Sequence, residues 1–332
     1  PAAECCAATI QRVAPNGWRR RPAAQSITTG PTMTNPMMSN RWLKGAAALI
    51  CTLVMSVSFA VAATQKTFDS PEMAVEALVD SLARNDDAEM RAILGLKYDQ
   101  LLSLDDLSAE DRLDFLAAWA KGHRILRESD TLAHLEVSSG WTLPIPVVRN
   151  VSGWVFDTKA GKEEMRTRRI GRNELAAIEI MRAYVEAQRE YAEQDRNGDG
   201  IREFAQTVLS SPGKYDGLYW PTADGEPESP AGPLLETKDL KDGYHGYRFR
   251  ILKAQGKAAP GGARSYVKDG RMTEGFALVG WPARYGETGL ATFIVNQDGV
   301  VYQKYLGPNA AAIAGAMTRF DPDASWTALP AP

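Results

Sequence analysis

The residues most able to do chemistry lie in one short acidic stretch, Asp195-Arg-Asn197-Gly-Asp199-Gly200-Ile201-Arg-Glu203. Asp195, Asn197 and Asp199 occupy alternate positions, Gly200 allows a sharp turn, and Ile201 can offer its carbonyl before Glu203. Hard Ca²⁺ takes six to eight oxygens, and alternate residues of a tight loop can aim theirs at one point. Position twelve of such a loop is Gln206, which cannot supply the bidentate carboxylate of an EF-hand. Calcium here would therefore bind weakly, in the range suited to millimolar extracellular ion. The competing reading is turn chemistry alone, since Asn197-Gly198 and Asp199-Gly200 are both favoured turn pairs. No other cofactor is indicated.

A second constellation is aromatic. Tyr215, Tyr219, Trp220, Tyr244, Tyr247, Trp281 and Tyr285 concentrate in the C-terminal half, with Asp216 and Asp224 among them. As a surface they could stack on sugar rings or on a partner protein; as interior residues they would pack under long loops. Nucleophilic and nucleotide chemistry have no visible seat. There is no Gly-x-Ser-x-Gly elbow and no glycine-rich phosphate loop after a strand. His123, His134 and His245 are scattered without a zinc spacing, although the first two lie on neighbouring strand candidates. Acidic pairs such as Asp105-Asp106 and Glu163-Glu164 would diverge on a helix and make poor acid–base partners.

The elements that must position these groups can be read in both halves. Asn173 is placed to cap a helix running to about Gln194, with Leu175, Ile178, Met181, Val185 and Gln188 inward and Tyr184 and Tyr191 alongside. The acidic loop, a short helix and the turn Asp216-Gly-Leu-Tyr-Trp220-Pro221 follow it. Strand candidates at 246–252, 275–281, 289–296 and 300–304 then supply a sheet of about four strands, the last two joined by Gln297-Asp298-Gly299. A short helix at 310–317 ends the domain, spanning 173–320, and 321–332 reads as a loose tail.

The N-terminal half, 63–158, begins with helices opening at Ser70-Pro71, Asp87 and Ser108, the third burying Leu113, Leu116 and Trp119. Strands at 123–128, 131–137, 141–148 and 153–157 follow, with Pro144 and Pro146 placing the third at an edge or in an irregular loop. Both halves read as α+β: first helices plus an antiparallel meander, whose pattern resembles nuclear-transport-factor-2 or cystatin domains, then one long helix on an antiparallel sheet. The charged run 159–172 reads as a solvated helical connector.

Of 332 residues 44% are hydrophobic and 24% charged, and a net charge of −3 gives no field to gather nucleic acid. All three cysteines (Cys5, Cys6, Cys51) lie within the first 51 residues, and a thiol-free body suits an oxidising compartment. Residues 1–32 read as a disordered or mis-called leader. Residues 33–62 read as a signal peptide: Arg41 and Lys44, an apolar Gly45–Phe59, then Ala60-Val61-Ala62 as cleavage site. Cleavage near Ala62 would release a periplasmic or secreted protein; only an uncleaved signal would hold it to the membrane.

Several long motifs carry a resemblance. The runs Arg169-Ile-Gly-Arg-Asn-Glu-Leu-Ala-Ala-Ile178, Asp216-Gly-Leu-Tyr-Trp-Pro221 and Phe293-Ile-Val-Asn-Gln-Asp-Gly-Val-Val-Tyr-Gln-Lys304 resemble a bacterial family known as domain of unknown function 2950. Trp141-Thr-Leu-Pro-Ile-Pro146 and Gly153-Trp-Val-Phe-Asp-Thr158 fit it as well. The resemblance spans Phe68 to Trp326 and implies an exported protein with no established activity. The strand Tyr285-Gly-x-Thr-Gly-x-x-Thr-Phe293 behind a long helix is also similar to pilin-like globular domains, except that pilins carry their apolar anchor on that helix.

These features favour a non-catalytic exported protein that binds an unknown envelope or extracellular partner, stiffened by a weak calcium loop. The alternatives are a periplasmic hydrolase using carboxylates near the aromatic cluster and, more remotely, a pilin-like structural subunit.

Overall fold

The structure, a computed structural model, describes residues 65–95, 109–138, 140–222, 227–232 and 243–331. The expected leader, the signal segment, Ser108, Asp105-Asp106 and Asp224 lie outside them. The architecture is α+β, with antiparallel sheets in both halves.

Ser70 caps α1 (Pro71–Arg84), its hydroxyl accepting the Met73 amide at 3.2 Å, and Asp86 caps α2 (Asp87–Leu94) through Glu89 at 3.0 Å. Val75 and Leu78 of α1, with Met90, Ile93 and Leu94 of α2, are buried in one core with the first sheet. Helix α3 (Ala109–Lys121) corrects the sequence reading: Leu113 is 63% exposed and no residue of the helix is fully buried. Its inward stripe is Phe115, Leu116, Ala118 and Trp119, at helical spacing, and of the three expected residues only Leu113 falls outside it.

Strands β1 (His123–Ser129), β2 (Leu132–Val137), β3 (Trp141–Thr142), β4 (Val147–Asn150) and β5 (Gly153–Phe156) form the first sheet in the order β1-β2-β4-β5. Pro144 and Pro146 lie in irregular chain, the second of the two expected placements, rather than in an edge strand. β3 and β4 lie along the same side of β2, pairing with its two ends, and the prolines occupy the kink between them. The ladder of β4 begins just after Pro146, so it loses no hydrogen bond and pairs on both sides.

Helix α4 (Thr158–Tyr191) is one unbroken rod of 34 residues, capped by Asp157, whose carboxylate accepts the Ala160 amide at 2.9 Å. It absorbs the expected connector, because nothing between Thr158 and Asn173 stops a helix and ion pairs Glu163–Arg166 and Glu164–Arg168 (both 2.7 Å) support it. The charged run is also tied to the rest of the protein. Arg168 donates to the Thr142 carbonyl at 2.7 Å, while Arg166 and Arg169 donate to the carbonyls of Gly286 (2.8 Å) and Glu287 (3.1 Å). Asn173, expected as a cap, sits mid-helix and donates to the Thr288 carbonyl at 2.9 Å. Gly161 lets the helix meet Ile145, since a Cβ there would stand 2.9 Å from its side chain.

The second sheet runs β14-β13-β12-β11-β6. Its strands are β6 (Tyr247–Leu252), then, after the short ribbons β7 (Ala254–Gln255), β8 (Arg264–Ser265), β9 (Val267–Lys268) and β10 (Arg271–Met272), β11 (Ala277–Pro282), β12 (Ala291–Asn296), β13 (Tyr302–Tyr305) and β14 (Thr327–Ala328). Ala177, Met181, Tyr184 and Val185 of α4 are buried in the core this sheet shares, whereas Leu175 is 46% exposed. At Gly280 a Cβ would stand 2.6 Å from Met181 Cε, so the missing side chain admits the helix. A short helix α5 (Ala310–Ala316) packs on β11. The segment from Asp321, expected to be loose, adds β14 to the sheet edge and packs Trp326 and Leu329 against the core. Among the described residues no helix is long and apolar enough to cross a membrane.

Candidate functional site

The C-terminal end of α4 and the chain that returns over it build a cleft of about 440 Å³. Its lining includes Tyr191, Arg196, Glu203, Phe204, Lys214 and Tyr215. Residues 201–208 are not the short helix expected from the sequence but irregular chain whose main-chain groups are committed elsewhere. Phe204 donates its amide to the Met272 carbonyl at 2.8 Å, and Ala205 is held by Gln188. That glutamine, fully buried on α4, accepts the Ala205 amide at 2.8 Å and donates to the Ala205 carbonyl at 2.8 Å and the Tyr184 hydroxyl at 3.0 Å. It therefore pairs with one residue of chain as a neighbouring strand would.

The aromatic turn closes the cleft from the other side. Leu209 and Tyr219 bridge in parallel, and the Ser211 amide donates to Asp216 Oδ1 at 2.7 Å. Gly217 is required where these strands cross, because a Cβ would stand 2.7 Å from the Leu209 and Ser210 backbone. Trp220 is buried, its indole donating to the Pro227 carbonyl at 2.9 Å, and its ring lies 4.8 Å from that of Tyr215. The Tyr191 hydroxyl donates to the Tyr215 carbonyl at 2.9 Å, so the last residue of α4 holds the turn in place.

Arg196 sits at the centre of this arrangement. Its guanidinium carbon lies 5.5 Å from the Tyr191 ring and 5.4 Å from the Trp220 ring, a doubly stacked cation. Charges gather around the Tyr191 hydroxyl: burial above all, then the Glu203 carboxylate, push it up to about 12, with Arg196 pulling the other way. The Ser211 amide holds the Asp216 carboxyl below its usual range.

The acidic loop itself is closed on its own backbone. Asp195 accepts the amides of Gly198 (2.8 Å), Asp199 (3.3 Å) and Gly200 (2.7 Å), and the Gly200 bond leads in holding its carboxyl below the usual range. Asn197 donates to Glu203 Oε1 at 3.0 Å, and Asp199 pairs with Arg271 of β10 at 2.7 Å. The oxygens are of the right kind for calcium, although Asn197 meets Glu203 through its amide nitrogen while its oxygen accepts the Asp199 amide at 3.2 Å. Arg271, however, already supplies the positive charge at Asp199. Among the described residues no group of three or more His, Cys, Asp or Glu is gathered for a metal ion.

The seven aromatics do not form one surface. Tyr215, Tyr219 and Trp220 share the turn. Tyr247 is fully buried, its hydroxyl donating to the Ala291 carbonyl at 2.9 Å, and Trp281 is paired in the sheet opposite Arg248. Tyr285 bridges Gly289 in the loop that meets Asn173, 18 residues or about 27 Å up the helix from Tyr191. Tyr244 lies between these groups, lining a small apolar void of about 70 Å³ with Tyr184 and Leu218. The two strand histidines also stay apart: His123 stacks on Trp119 at 3.4 Å, and His134 faces Glu128 at 3.4 Å.

Sequence reasoning missed Arg196, Lys214 and the role of Gln188. A glutamine at an inward helical position was the one available signal, since a buried amide must find partners. No curated protein and no solved structure matches the chain. A family model does, over residues 65–329, and the chain belongs to that family, described as protein of unknown function (DUF2950).

Proposed function

We propose that this protein is exported and acts as a non-catalytic binding protein of the cell envelope, taking a small ligand in the cleft at the end of α4. The charged start, apolar run and small-residue site of residues 33–62 support export. The observation that carries the binding reading is the cleft itself. Its volume lies within the roughly 300–1,000 Å³ of small-ligand sites, and it joins aromatic rings to charges of both signs. Its walls are held by buried hydrogen bonds from Gln188, Tyr191 and Trp220, so the site is formed before a ligand arrives.

One observation favours a second reading, a carboxylate-dependent hydrolase: Glu203 and Asp216 line the same cleft. Against it, the carboxylate of Asp216 is engaged by Ser211 and held ionised, which suits an anchor or base rather than an acid.

The test is an amide NMR titration of residues 63–332 with a panel of monosaccharides, amino acids, short peptides and phosphate. Binding in the cleft moves the resonances of Tyr191, Arg196, Phe204 and Gly213–Asp216 above all others, with no new product signals. Shifts confined to another face, or none with any member, would overturn the binding reading. Steady conversion of a panel member would favour the hydrolase.

A further inference from the structure

The charge pattern of the cleft defines a ligand class, an inference that rests on the cleft being a binding site. The carboxylates of the acidic loop and of the cleft each have a partner other than Arg196. Asp195 is saturated by three backbone amides, Asp199 by Arg271, Glu203 shares an oxygen with the Asn197 amide, and Asp216 is held by Ser211. Among the described residues Arg196 has no ion pair, and its one hydrogen bond there is a long one, 3.5 Å from Nε to the Tyr191 carbonyl. Stacking between two rings nonetheless fixes where the guanidinium sits, half-buried in the cleft wall. A planar fork of donors, held in place without a partner, is suited to bidentate capture of a carboxylate or phosphate. The same cleft presents Glu203 and Asp216. A dianionic phosphate drawn to Arg196 and Lys214 would still stand against both carboxylates, whereas a ligand with one carboxylate and one ammonium group meets both signs.

We propose that the cleft binds a short zwitterionic peptide, its terminal carboxylate on Arg196 and its ammonium group toward Glu203 and Asp216. The rings of Phe204 and Tyr215 would then cover the chain between the two charged ends.

Alanyl-alanine, its C-terminal amide, its N-acetyl form, free alanine and inorganic phosphate serve as probes, with dissociation constants read from the amide shifts and from the Arg196 Nε–Hε resonance. The dipeptide binds best, the C-terminal amide at least tenfold more weakly, and the N-acetyl form severalfold more weakly. Free alanine, too short to reach both ends, falls below the dipeptide. Arg196→Gln removes the preference for the free carboxylate, and Arg196→Lys restores part of it. Equal affinity for acid and amide, phosphate binding tighter than the dipeptide, or an unchanged constant in folded Arg196→Gln would overturn the proposal. Sugars shifting the cleft while zwitterions do not would sink it too, and leave the binding reading standing. Silence of the cleft to every probe would remove both.

Discussion

Replacing Gln188 by methionine tests whether the cleft is held by hydrogen bonds rather than by packing. Methionine keeps the length of the side chain, so the substitution isolates the polar contacts from cavity formation. Three bonds end on the Gln188 amide, at 2.8, 2.8 and 3.0 Å. In the variant the amide and carbonyl of Ala205, a residue only 1% exposed, lose their partners; the Tyr184 hydroxyl still donates to the Ala277 carbonyl. Each orphaned backbone group costs about 1–3 kcal/mol, and the added apolar burial returns about 1 kcal/mol. The net loss is about 3 kcal/mol. With a urea dependence of about 3 kcal/mol per molar, the unfolding midpoint falls by about 1 M. Hydrogen exchange separates local from global loss, since the Ala205 amide loses protection first and the β12 amides follow only with the whole fold. Gln188→Glu supplies an internal check. The introduced carboxyl has a proton to give the Ala205 carbonyl only in its neutral form. Burial raises its folded pKa, so its favourable contribution is full below the unfolded carboxyl value and lost as pH rises through the folded one. The variant therefore regains stability on acidification, where wild type does not. A midpoint for Gln188→Met within about 0.3 M of wild type, with the Ala205 amide still protected, would refute the reasoning.

Two further predictions concern the loop and the pH range. Freeing Asp199 by Arg271→Gln opens the acidic loop to calcium: at 10 mM ion and a dissociation constant of about 1 mM the gain is about 1.4 kcal/mol, or roughly 3–5 °C in Tm. Wild type moves by less than about 1 °C, and Asp195→Ala in the Arg271→Gln background abolishes the shift; equal shifts with and without Arg271 would show that the guanidinium does not compete. The Asp195 carboxyl, held low by the Gly200 amide, favours the folded loop above the unfolded carboxylate value and loses that effect as pH falls through its folded value. Tyr191 sets the other limit: pushed up to about 12 by burial, it draws stability down as pH rises from about 10, the usual tyrosine value, through its folded value. Carbon-detected titration of both groups checks this, and an Asp195 value at or above the ordinary 3.8 would contradict the loop geometry.

The parts of this fold legible in the sequence are those governed by local period. The four long strands of the second sheet and the hairpin at Gln297-Asp298-Gly299 could be placed within two residues, because alternation and turn chemistry act over a few positions. The first sixteen residues of α4 could not be read as part of the long helix. Their charge is spread around the rod, as in a solvated connector, and only carbonyls contributed by Thr142, Gly286 and Glu287 show why it runs on. The single strand Thr327–Ala328 was equally hidden, being too short to carry a pattern of its own.

The acidic loop shows how far such local reading reaches. Its aspartates and glycines announce a turn, and also mimic an ion site, because both uses need oxygens aimed inward. What decides between them is Arg271, 72 residues beyond Asp199 and invisible to any spacing rule. The same decision sets the character of the cleft. With Asp195 turned onto the amides of Gly198, Asp199 and Gly200, and Asp199 paired with Arg271, neither loop aspartate forms an ion pair with Arg196, which lies over the Tyr191 and Trp220 rings. Arg196 is therefore available because the loop beside it satisfies itself. A change that releases Asp195, such as lengthening the turn at Gly198-Asp199, should cost ligand affinity by giving Arg196 an internal partner, even though no cleft residue has been altered.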